Sequence, residues 1–190
     1  MRKHLLLLAA LGGALALAAT AYAAPPRHFS FDNSASGFAP FTSAACGTPV
    51  YITVTGTYDV TLYYDANGNV VRELDRIPDG TTTFSSPATG KSFTIRGSSV
   101  TEVDYHGGAT LGSPAVVRLL GFQGSGAGPG TSVSAGQRVW NGTVDDFSPE
   151  GIPLVDFGGD PIFAAGTFPD FLTVQLPERC TALGGSYTGA

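Results

Sequence analysis

Asp104-Tyr105-His106-Gly107-Gly108 is the segment of this sequence best equipped for chemistry. Asp104 and His106 stand two apart in an extended run, so their side chains share one strand face. A carboxylate beside an imidazole makes a proton-transfer couple. The same pattern describes a solvated strand end entering a Gly-Gly turn. That is the expected reading: both residues partly exposed, neither catalytic. Arg118 interrupts the apolar run from Ala115 to Phe122, which marks it as an edge or polar-pocket residue. Tyr105 and Trp140 offer aromatic surfaces able to stack on a sugar or wall a small cavity. Tyr51, Tyr58, Tyr63 and Tyr64 can line such a pocket or platform too, and all six equally suit core packing and cross-strand pairing. Asp104, Tyr105, His106, Arg118 and Trp140 form the candidate ligand-binding set.

A second group is acidic. Asp145, Asp146, Glu150, Asp156 and Asp160 fall close together in the chain. Paired acids hydrolyse glycosides when their carboxyls sit about 5–9.5 Å apart. Clustered acids also bind calcium, with backbone oxygens completing the shell. An acidic loop that keeps the protein soluble has the same composition, and that is the expectation. Asp65-Ala66-Asn67-Gly68-Asn69 resembles the start of a calcium loop, but its glycine comes too early and the closing glutamate is missing. It reads as a hairpin turn. No serine has the Gly-x-Ser-x-Gly setting of a nucleophile elbow. The His and Cys positions make no zinc set. Gly124 to Gly130 is a flexible loop, without the strand-to-helix context of a dinucleotide fingerprint. No cofactor and no metal are expected.

Strands must position these residues. Val50, Ile52 and Val54 alternate with Tyr51, Thr53 and Thr55, and Val60, Leu62 and Tyr64 continue the period of two. Asn67-Gly68 joins that run to Val70–Arg76 as a hairpin. Asp79-Gly80 reads as a further turn. Pro87 to Gly90 joins Thr81–Ser85 to Ser92–Arg96. Val100–Tyr105, Ala115–Phe122, Arg138–Phe147 and Ile152–Phe157 follow as strands. The apolar character of Ala115–Phe122 predicts burial on both faces. Asp160 to Pro169 is a Gly/Pro-broken excursion. Leu172, Val174 and Leu176 predict a final strand, and Pro177-Glu178 opens a short helical turn that stops at Gly184. Residues 24–45 read as an N-terminal arm with a short strand at His28–Phe31, and residues 46–190 as one antiparallel β domain. Long stretches of helical period and internal repeats are absent. The expected fold is all-β: a single antiparallel β-barrel of about eight strands, or alternatively a two-sheet β-sandwich, with a short C-terminal helical turn.

Cys46 and Cys180 are the two cysteines. Outside the cytoplasm an even pair oxidises, and here it would close a loop of about 135 residues, worth about 4–5 kcal/mol in chain entropy. In an up-and-down barrel with an even strand count the first and last strands are neighbours, so this pairing favours the barrel.

Residues 1–23 give the compartment. Arg2, Lys3 and His4 precede an apolar run from Leu5 to Ala19, and Ala21-Tyr22-Ala23 supplies a signal-peptidase site. The run is shorter than the roughly 20 residues of a membrane-spanning helix. Cleavage after Ala23 leaves 167 residues with 8 basic and 15 acidic side chains, a net charge of −7. Such a surface repels phosphate backbones, which argues against nucleic acid as a partner. A secreted, extracellular monomer is expected, with no membrane association after cleavage.

Tyr64 to Asn69 resembles one unit of the tyrosine-aspartate repeats of bacterial surface proteins. The signal, Cys46 before the first clear strand, the Thr89-Gly90-Lys91 hairpin and Cys180 in the final turn together resemble uncharacterised secreted β-rich proteins of Gram-positive bacteria. That resemblance implies no activity. The lipocalin Gly-x-Trp is absent. The expected role is binding or structural and non-catalytic, with an unknown small molecule or a carbohydrate as partner. The alternatives are a cavity-containing barrel that binds or isomerises a small apolar ligand, and a carbohydrate-binding or glycoside-hydrolysing protein.

Overall fold

The computed structural model describes residues 24–125 and 134–189. The signal segment and most of the glycine-rich loop lie outside the described residues. The strands are β1 (Arg27–Asp32), β2 (Ala35–Phe38), β3 (Tyr51–Thr55), β4 (Thr57–Tyr64), β5 (Val70–Ser86), β6 (Lys91–Tyr105), β7 (Pro114–Ser125), β8 (Ser134–Phe147), β9 (Pro153–Asp156) and β10 (Phe163–Thr167). Helices α1 (Pro40–Cys46) and α2 (Leu176–Ala182) are short, and a π-helical turn (Phe171–Gln175) leads into α2.

All ten strands form one antiparallel sheet. Register shows a seven-row meander. β1 and β2 are collinear and pair with β4 and β3, which are themselves collinear along β5. β9 and β10 are likewise collinear along β8. The sheet curls into an open half-barrel, not the closed barrel expected. The row count explains this. An antiparallel meander closes on itself only with an even number of rows, and seven leave the first and last parallel and unpaired.

Asp79-Gly80 is not a turn. β5 continues past it through an irregularity between Ile77 and Gly80, a bulge within a strand of 17 residues. Gly56 separates β3 from β4 at the same level, and a Cβ there would meet Gly80 Cα at 3.1 Å. The two rows can bend together because neither carries a side chain at the contact. The Asp65–Asn69 loop does close a hairpin, and Asp65 accepts hydrogen bonds from the backbone N–H groups of Asn67 and Asn69, both at 2.8 Å.

β7 is not buried on both faces. Ala115 and Val117 are buried, but Leu120 is 43% exposed, because only the inner face of the half-barrel is covered. The alternation at Leu172, Val174 and Leu176 marks no strand. Asp170 accepts from Thr173 N–H at 2.7 Å and starts the π-helical turn, and Pro177 fits the first turn of α2. Gly184, at φ +73°, ends α2: its N–H donates to Thr181 O while that of Gly185 donates to Cys180 O, a Schellman closure.

Val60, Leu62, Val103, Val117 and Val144 form the main core on the inner face. Ala39, Val50, Phe84 and Leu183 form a second core where the helices cover the sheet. Cys46 and Cys180 are bonded, with Cα atoms 4.9 Å apart. The bond joins α1, between the first two rows, to α2, beyond the seventh. It therefore ties the two helices together over the second core and does not join adjacent strands.

Candidate functional site

The inner face of rows one to four carries a pocket of about 530 Å³. Its floor is acidic where an apolar floor is the rule. Glu73 and Asp75 stand two apart on β5 and point inward, 4% and 8% exposed. Register places Glu73 between Leu62 and Val103, and Asp75 between Val60 and Thr101. Tyr105 Oη donates to Glu73 Oε2 at 2.7 Å. Asp75 Oδ1 is buried and has no hydrogen-bond partner among the described residues. Phe31 and Tyr58 wall one side, and Ile152, Val155 and Phe157 the other. No Lys, Arg or His lines the pocket.

Burial dominates the electrostatics. It pushes Glu73 up to about 8, helped by the neighbouring Asp75 charge and opposed by the Tyr105 hydrogen bond. Burial also raises Asp75, against interactions with Glu73 and Tyr58. Both phenols are pushed up as well, first by burial and then by the acids' charge. At neutral pH the pair therefore holds a proton, since two adjacent carboxylates do not both ionise out of water. A protonated carboxyl beside an ionisable one places an acid and a base side by side.

Of the residues singled out in sequence, Tyr58, Tyr105 and Glu150 belong to this site. Asp104 and Arg118 face each other on the outer surface at 3.9 Å. His106 is exposed in the turn after β6, so the spacing of two does not bring it to Asp104's partner or to the pocket. Trp140 lies opposite Val117 and packs on Phe157 with ring centroids 5.6 Å apart, so it braces the pocket wall. Asp145, Asp146, Asp156 and Asp160 are exposed. Glu150 lines the pocket with Ser148, whose Oγ donates to it at 2.8 Å. Among the described residues no group of three His, Cys, Asp or Glu is arranged to hold a metal ion.

Glu73 and Asp75 escape a reading by composition, but a signal exists. The Asp65–Asn69 hairpin sets Val60 and Leu62 opposite Asp75 and Glu73, which puts two acids beside core aliphatics.

Neither a family of known sequences, a curated protein nor a solved structure matches this chain.

Proposed function

We propose that this is an exported binding protein whose inner pocket takes a small organic cation, an amine with an apolar body. The carrying observation is the buried carboxyl pair with no basic side chain beside it. An ammonium would supply the missing charge, and the rings of Phe31, Tyr58 and Phe157 suit its apolar body and offer cation–π contacts. Support for export is the basic-apolar-small N-terminus and the Cys46–Cys180 bond.

Calorimetric titration with phenethylamine and its neutral analogue 2-phenylethanol tests the reading. The amine should bind at least tenfold more tightly, and Glu73→Gln with Asp75→Asn should remove that preference. Equal binding of the alcohol, or an amine preference that survives the double substitution, would refute it.

A further inference from the structure

We propose that a second pocket, separate from the acid pair, binds a small organic carboxylate through Arg138 and Arg179. Both arginines line a space of about 440 Å³ between the inner face of β6–β8 and the C-terminal helical segment. Arg138 projects from the inner face of β8, in register with Leu119. Its Cζ lies 4.0 Å from the Phe168 ring centroid, and its Nε is buried with no hydrogen-bond partner among the described residues. Arg179 comes from α2. Its Cζ lies 5.1 Å from the Phe84 centroid and 5.2 Å from that of Phe171. Its Nη2 donates to Gln175 Oε1 at 3.0 Å, and Gln175 Nε2 is fixed on Pro169 O at 2.7 Å.

Among the described residues no ion pair joins either guanidinium to a carboxylate. The ion pairs among the described residues are Arg72–Glu102 and Arg118–Asp104, both on the outer face. Residues 1–23 and 126–133 contain no Asp or Glu. Asp75 shares a rung with Arg138 through Thr101 and Leu119, but it is three strands away, about 14 Å along the sheet.

Both guanidiniums are half-buried, and Arg179 has the neutral Gln175 as a polar partner. A partly desolvated cation without a counter-charge costs free energy, and a guanidinium does not escape by losing its proton. Ring stacking orients the guanidinium planes, and a guanidinium edge matches a carboxylate bidentately. The rest of the pocket sets the ligand class. Gly121 and Gly136 line the space with backbone; a Cβ on Gly136 would collide with Gly166 Cα at 2.8 Å, so that glycine lets β8 and β10 approach closely beside the pocket. Leu119, Phe168 and Phe171 supply apolar surface. A flat anion with an apolar body fits this arrangement better than a bare oxyanion does.

The test uses the disulfide-bonded protein, with benzoate as probe and benzyl alcohol and inorganic phosphate as controls. Benzoate should shift the Arg138 Nε–Hε resonance saturably, at least tenfold more tightly than either control. Arg138→Gln should weaken benzoate at least tenfold by calorimetry, and Glu73→Gln should leave it within twofold. If Arg138→Gln fails to fold, Arg138→Lys, which keeps the charge and loses the fork, should still cost at least fivefold. The proposal is overturned by no saturable shift, by either control matching benzoate, or by an arginine variant that binds like the parent.

Discussion

The acid pocket and the arginine pocket share one face of one sheet, yet they handle charge by opposite means. Glu73 and Asp75 are local, two residues apart on β5, and they relieve their charge by keeping a proton. Arg138 and Arg179 come from β8 and α2, far apart in the chain, and a guanidinium keeps its proton throughout the working pH range. It is held instead against aromatic faces, Phe168 for one and Phe84 with Phe171 for the other. The acid pair therefore depends on pH, and the arginine pair depends on tertiary structure, above all on the clamp that seats α2.

Removing that clamp should separate the two pockets most strongly. Cys46→Ser with Cys180→Ser should cost about 4–5 kcal/mol of stability. Hydrogen exchange should show α1, α2 and the Phe84 cluster losing protection while β4–β6 around Glu73 stay protected. A uniform loss of protection would erase the distinction.

Proton linkage gives the next effect. The folded-state pKa of Glu73, about 8, lies above its ordinary value near 4.5, so the folded state binds the extra proton. That contribution is fully present below pH 4.5 and is lost as pH rises through 8, with a slope of about 1.4 kcal/mol per pH unit inside the window. Glu73→Gln should flatten the pH dependence of Tm and stabilise the protein at pH 8. A parent Tm that does not fall between pH 5 and 8 would show that the acids are hydrated in solution.

The smallest change sharpens the comparison further. Gly184→Ala places a side chain at φ +73° and should cost about 1 kcal/mol. Thermal unfolding should report that loss while the Glu73 titration, followed by carboxyl NMR, stays in place. Movement of the titration would mean that the two pockets are coupled.

The strand content was legible in the sequence because alternation at Val50–Tyr64 and the Asn67-Gly68 turn are local signals. So was the cysteine pair. Closure was not legible, because row parity depends on β1–β2 and β9–β10, short segments whose pairing is decided by distant partners. Leu172, Val174 and Leu176 misled for a related reason: the Asp170 cap and Pro177 overrode a three-residue alternation. Tyr105 was legible as an aromatic, but its role came from Glu73, which composition hides among Arg72, Leu74 and Arg76. Arg179 joins its pocket only once α2 folds over the sheet.

The Cys46–Cys180 bond also sets a mechanical property. A force applied between residues 24 and 189 passes through the bond and bypasses the 134-residue loop that holds β3–β10. Only the two flanks can pay out, about 30 residues or roughly 100 Å of contour. The loop's further length, roughly 450 Å, stays locked until the sulfurs are reduced. Under tension the oxidised protein is a short tether around a shielded sheet, and reduction turns the same chain into a long one.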